Sequence, residues 1–199
     1  MRDKKLTVAL LLAAGLALAP GAAHAVSAAG AGSGHRAPVT PRPVAVYVGR
    51  QLVGSGQNVN GAVSAVRSQV PFAIRVPRYA PTGYVPVQLA VTPQQRDVST
   101  GRATLSYALT NHGKADLTAS NAFAIDQGAT ALAFVGGTRV AAATAGRYPA
   151  TLHEFRTAGH DLLILTWVDG AGNGYDITTD AATSHLTPAI IGHIAASLS

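Results

Sequence analysis

Three stretches of this chain alternate apolar and polar residues with a period of two, and this alternation constrains the fold more than any other feature. In the first, Phe72, Ile74 and Val76 point one way with Arg75 opposite; in the second, Val85, Val87, Leu89 and Val91 share a side with Gln88 opposite. In the third, Ala103, Leu105, Tyr107 and Leu109 share a face while Thr104 and Ser106 take the other. Successive side chains of an extended chain point to opposite faces, so each stretch predicts a strand with one dry and one wet side, as in an antiparallel sheet. Pro77, Pro81 and Gly83 force a tight connection between the first two, and the polar turn Pro93 to Gly101 separates the last two.

A different pattern marks Leu162-Leu163-Ile164-Leu165-Thr166-Trp167-Val168, whose nearly continuous apolar run predicts a central strand covered on both faces. It follows the segment Thr151 to Arg156 through a turn at Ala158-Gly159. Val44 to Val48, Thr130 to Val135 and Arg139 to Ala143 are further strand candidates, the last two around Gly136-Gly137. Two helices are expected. Asn60 caps the first, in which Val63, Val66 and Val70 line one face, and it stops before Pro71. Thr187 caps the second, Pro188 fits its first position, and Leu186 staples to Ile191 across its start. Ile191, Ile194, Ala195 and Leu198 then form its buried stripe. The expected fold is α+β: a single antiparallel sheet with a short N-terminal helix and a C-terminal helix packed on it.

Arg2, Lys4 and Lys5 precede the apolar run Leu6 to Ala19, then Pro20 and the small-residue finish Ala23-His24-Ala25. Residues 1–25 therefore read as a secretory signal peptide cleaved after Ala25. The run falls short of the ~20 apolar residues that span a bilayer, so no transmembrane anchor is expected after cleavage. Residues 26–43, rich in Ala, Gly, Ser and Pro, read as a flexible linker, and residues 44–199 as a single domain. With no cysteine, the chain has no disulfide, thiolate metal site or cysteine nucleophile. Its net charge of +6, lowered by loss of the signal peptide, is too thinly spread for nucleic-acid binding.

Candidate chemistry is sparse. Asp169, Asn173 and Asp180 stand at the first, fifth and twelfth positions of a calcium-loop spacing with Gly174 sixth, but Ala171 occupies the third and no Glu closes the loop. A hairpin turn built on Asp, Asn and Gly accounts for the same residues. Of His35, His112, His153, His160, His185 and His193, none pair at the spacing of a helical zinc site; His153 and His160 flank a turn and face each other if they lie across one hairpin. No G-x-S-x-G is present, leaving His153 or His160 with Asp161 or Glu154 as the material for a hydrolase. The clusters Gly30-x-Gly32-x-Gly34 and Gly170-x-Gly172-x-Gly174 lack the context of a dinucleotide cradle. Tyr79, Tyr84, Trp167 and Tyr175 suit either a ligand groove or core packing. No catalytic, cofactor-binding or metal-binding residue is assigned, and no cofactor is expected.

The string from Val70 to Tyr84, with its Pro77-Arg78-Tyr79-Ala80-Pro81-Thr82-Gly83-Tyr84 turn, resembles the opening of the domain of unknown function 4367. Leu165-Thr166-Trp167-Val168-Asp169-Gly170, Gly174-Tyr175-Asp176-Ile177 and Ile194-Ala195-Ala196-Ser197-Leu198 resemble its close. The resemblance runs from about Asn60 to Leu198; Gly192-His193 within the helix and the Gly-rich turn after Trp167 depart from the pattern. It implies an extracytoplasmic part of a bacterial envelope protein or lipoprotein, with a sensory, regulatory or binding role and no established activity.

The function expected is thus that of a secreted, non-enzymatic envelope or extracellular domain, in the periplasm or outside the cell, binding a protein or small-molecule ligand. The alternatives are a carrier of apolar molecules, which requires an apolar cavity, and a secreted hydrolase, which requires a His and a carboxylate converging on a hydroxyl.

Overall fold

The computed structural model describes residues 42–94, 101–111, 114–115, 122–132, 137, 139–157 and 159–198. The signal peptide, residues 26–41 of the linker, His35, His112 and the Gly136 turn lie outside the described residues.

The chain runs β1 (Val44–Val48), β2 (Gln51–Gly56), α1 (Val59–Val66), a 3-10 turn (Arg67–Gln69), β3 (Tyr84–Thr92), β4 (Arg102–Asn111), β5 (Lys114–Ala115) and β6 (Ala122–Gly128). It continues through β7 (Arg139–Ala145), β8 (Tyr148–Thr157), β9 (His160–Val168), β10 (Gly174–Asp180), α2 (Ala181–Ser184) and α3 (Pro188–Ala196). The strands form one sheet in the order β2-β1-β3-β4-β6-β10-β9-β8-β7, with the two-residue β5 beside β4.

The architecture is α+β, but the sheet is mixed rather than purely antiparallel, because β1 and β3 pair in parallel. Parallel neighbours need a crossover, and residues 49–83 supply one that carries α1. The alternation of apolar residues reports which face is dry; it carries no information about strand direction, which is why the single parallel pair was not foreseen.

Three strand assignments are corrected. Phe72 to Val76 is not a strand, although Phe72, Ile74 and Val76 do pack against the core. The segment is an extended strap lying over the sheet, bounded by Pro71 and Pro77, which have no N–H to give to a ladder. In β3, Val85 and Val87 do not share the face of Leu89 and Val91. The pairing with β4 breaks between Pro86 and Gln88, so a bulge shifts the alternation by one residue and brings Tyr84 inward instead. Thr130 to Leu132 are also outside any strand, whereas β6, whose Phe123, Ile125 and Gln127 point inward, went unforeseen.

The helix ends follow local rules. The Asn58 side chain, rather than that of Asn60, caps α1 by accepting from the Gly61 N–H, and Ala62 and Val66 form its buried side. Thr187 caps α3 as expected, with Pro188 in the first turn; Leu186, Ile191, Ile194, Ala195 and Leu198 all enter the core.

Strand register places Val46, Leu89, Leu105, Ile125, Ile177, Leu165 and Leu152 side by side across seven strands on one face. This face, with α1, the strap, Leu186 and α3 above it, is the core. Its thickness comes from aromatics: Tyr107 stacks on Phe123 at 4.6 Å and Trp167 on Tyr175 at 5.2 Å. Leu162 and Ile164 are also buried but lie on the opposite face, outside that cluster, as expected for a central strand with both sides covered. No helix among the described residues is long and apolar enough to cross a membrane.

Candidate functional site

On the face opposite the helices, strand register aligns five polar residues in a row. Thr104 of β4 is paired with Asp126 of β6, Asp126 with Asp176 of β10, Asp176 with Thr166 of β9, and Thr166 with Thr151 of β8. Since period two sends residues 105, 125, 177, 165 and 152 into the core, their neighbours in sequence must emerge on this side. Among the described residues no helix covers it.

The centre of the row is a carboxylate pair. Antiparallel partners bring Asp126 and Asp176 face to face, and like charges at that distance resist joint ionisation. Arg102 ties them together: its Nη2 lies 2.7 Å from Asp126 and 3.7 Å from Asp176, and its Nε donates to Asp126 at 3.1 Å. Thr104 donates its hydroxyl to Asp126, and Thr178 donates to Asp176 at 3.4 Å. Asp176 is only 8% exposed. Burial, reinforced by the charge of Asp126 and opposed by Arg102, pushes its carboxyl up to about 7. Around pH 7 the Asp176 carboxyl therefore passes between a protonated form that donates a hydrogen bond and an ionised form that accepts, on the face that no helix covers among the described residues. Farther along the same face, Thr166 Oγ1 lies 3.4 Å from His153 Nε2.

Sequence reasoning missed this cluster. Asp126 and Asp176 are far apart in the chain, and no motif of the sequence joins them; the signal that existed was the alternation on β6 and β10 placing each carboxylate opposite an inward apolar neighbour.

The residues singled out from sequence fall elsewhere. Asp169 to Asn173 form the turn of the β9–β10 hairpin, with the Asp169 N–H donating to the Asn173 C=O at 2.9 Å. The Asp169 carboxylate accepts from the N–H groups of Ala171 and Asn173, the Asn173 side chain, the Tyr175 hydroxyl and Arg75. Burial opposes its ionisation, but these donors outweigh burial and hold the carboxyl below its ordinary range. Its oxygens thus face hydrogen-bond donors, and Asp180 stands away by the length of β10, roughly 20 Å. Asp180 instead caps α2 through the Ala182 N–H and accepts from the Asp161 N–H.

His153 and His160 do not face each other. His160 pairs with Thr157 and His153 with Ile164, which separates them along the hairpin. His160 Nδ1 lies 2.7 Å from Asp180 rather than engaging Asp161 or Glu154. Tyr84, Trp167 and Tyr175 are core residues, and Tyr79, exposed, meets His193 edge-on at 5.1 Å. Open surface clefts among the described residues include two. One, of about 340 Å³, includes Glu154, Arg156, Asp161, His185 and Leu186; the other, of about 610 Å³, lies between α1 and the strap.

A scan against protein-family models, a search of the curated proteins and a search of the solved structures each return no match for this chain.

Proposed function

We propose that this is a secreted, non-enzymatic domain of the bacterial envelope or extracellular space that binds a partner or ligand through the helix-free face of its sheet. The observation that carries the reading is the row Thr104, Asp126, Asp176, Thr166 and Thr151 with Arg102 beside it. A sheet needs only one face to hold its core. Buried polar groups on the other face cost stability unless something else is gained, so this concentration of charge and hydroxyls is the part of the molecule best explained by recognition. Export rests on the charged, apolar and small-residue order of residues 1–25. The resemblance to the domain of unknown function 4367 belongs to the same proposal and favours an envelope setting.

The test has two arms. Expression with the native N-terminus should release a protein whose first residue is Val26; a cytoplasmic product retaining Met1 overturns export. The secreted chain and a Thr104→Arg/Thr151→Arg variant are then used to retain material from culture fluid and envelope extract, with protein and lipid fractions both identified. A species held by the natural chain and lost by the variant supports the reading, and equal retention by both overturns it.

A further inference from the structure

The charges of this chain are divided along its length and therefore across its sheet. From Lys4 to Arg96 there is no Asp or Glu, so arginine is the only charged residue type in the fold from β1 to β3. The first described strand with a carboxylate is β6, four places from β2 in the sheet. Four strand spacings make about 19 Å, well beyond the ~8 Å over which physiological salt screens a charge. Asp97, outside the described residues, adjoins Arg96 in sequence. Arg50, in the turn between β1 and β2, and Arg67, which opens the 3-10 turn after α1, are both exposed, and among the described residues neither side chain has an ion pair or hydrogen bond. They stand at the same end of the sheet. The Gly49 N–H donates to the Val91 C=O at 2.7 Å, and Gly101, next to the β4 partner of Thr92, adjoins Val70 and Pro71.

Beside Arg50, Leu52 and Val53 are 57% and 53% exposed. Of the five large apolar side chains left exposed among the described residues, they alone are neighbours in sequence. Adjacent strand residues point to opposite faces, and every residue from Gln51 to Ser55 is exposed, so this part of β2 is covered on neither face. The helix α1 closes on β2 at Gly56, where a Cβ would run into the Ala62 backbone, whereas a Cβ at Gly49 or Gly54 would meet nothing. Exposed edge strands are ordinarily blunted by charged side chains or proline. The strand β2 has neither and carries leucine and valine instead.

We propose that this edge docks on an anionic lipid bilayer: Leu52 and Val53 enter the interfacial layer while Arg50 and Arg67 engage the lipid phosphates. A strand presented edge-on can sink side chains of both its faces at once. The arginines, remote from the carboxylates of the described strands, supply the long-range attraction that apolar groups lack. The combination singles out a bilayer among anionic partners, since a soluble polyanion offers aliphatic side chains no apolar surface to join. The hairpin stays at headgroup depth, because the backbone of an edge strand finds no hydrogen-bond partners in hydrocarbon. Docking here uses neither Asp126 nor Asp176, so it holds or fails independently of the helix-free face.

The probe is cosedimentation with vesicles of phosphatidylglycerol and phosphatidylcholine in equal parts, set against vesicles of phosphatidylcholine alone. Natural and variant chains are compared in the same processed form, so the apolar run Leu6 to Ala19 contributes equally wherever it is retained. The natural chain should bind the anionic vesicles at least about tenfold more tightly than the neutral ones. Leu52→Ser/Val53→Ser should weaken that binding about tenfold or more, and Arg50→Glu/Arg67→Glu about a hundredfold. Val140→Ser, which removes a similarly exposed apolar group from β7, should leave it within about twofold. In Leu52→Trp the new emission should shift to the blue on anionic vesicles, against the constant background of buried Trp167; this readout needs no weakened variant. Binding no tighter to anionic than to neutral vesicles, an unshifted Leu52→Trp emission, or a folded serine or glutamate pair that binds as tightly as the natural chain overturns the proposal. Binding to dextran sulfate that matches binding to vesicles and ignores the serine pair assigns the edge to a polyanion and overturns it too. So does a dimer, in place of vesicle binding, that the serine pair dissolves.

Discussion

The side chain of Gln127 stands in for a β-strand at Arg75, giving its amide oxygen to the N–H and its amide nitrogen to the C=O of that one residue at 2.8 Å each. An extended segment outside the ladder is thereby held over the core by a buried side chain, together with the packing of Phe72, Ile74 and Val76 and the Arg75–Asp169 ion pair.

Replacing Gln127 by Leu keeps the bulk and leaves both Arg75 backbone groups unpaired. A buried group without its partner costs ~1–3 kcal/mol, so the variant should lose roughly 2–4 kcal/mol overall. Urea denaturation checks this, and the Arg75 amide should exchange faster than in the natural chain. A loss below about 1 kcal/mol with unchanged exchange means that water replaces the amide and the tie is dispensable.

Asp176 sets the pH dependence on the neutral side. Its carboxyl titrates near 7 in the folded chain, because burial and then the Asp126 charge disfavour ionisation, against ~3.9 when unfolded. The folded state therefore holds this proton more tightly. The contribution favours folding most below about pH 4, declines between about pH 4 and 7, and is flat above. At ~1.4 kcal/mol per unit the decline is at most roughly 4 kcal/mol. Asp176→Asn mimics the protonated form, so it should flatten this slope and exceed the natural chain in stability at pH 8. Denaturation curves of the two proteins at pH 5, 6.5 and 8 decide the matter, and parallel behaviour across that range contradicts the assignment.

Asp169 acts in the opposite sense and in acid. Its donors hold the carboxyl below the ordinary range despite burial, so its contribution is complete above about pH 4 and is lost as pH falls through the lower folded value. Asp169→Ala strands Tyr175, Asn173 and Arg75 and should cost about 3–5 kcal/mol. Asp169→Asn keeps acceptor capacity and should cost less. Acid titrations followed by circular dichroism should show a shallower acid transition for the alanine variant than for the natural chain; identical transitions would assign the acid sensitivity to other carboxylates.

Much of the architecture was legible because it depends on neighbours in sequence. The shared face of Ala103, Leu105, Tyr107 and Leu109, the doubly covered run at Leu162 to Leu165, and the helix opened by Thr187 and Pro188 all obey local periodicity or capping chemistry. The Asp169 turn was legible for the same reason, since Asp, Asn and Gly in that order make their own hydrogen bonds. What misled was the same signal at positions where tertiary context intervened: the β3 bulge displaced Val85 and Val87, and the strap kept its alternation without joining the ladder.

The sequence by itself determined the dry face of β4, the doubly covered run of β9, the turn at Asp169 and what begins the last helix, since each of these is settled within a few residues by side-chain direction and backbone sterics. Only the tertiary structure decided that β1 and β3 run in parallel, that Asp126 meets Asp176, and that Gln127 meets Arg75. Those pairings join residues distant in the chain, and the register that unites them is fixed by the packing of the whole sheet rather than by any local preference.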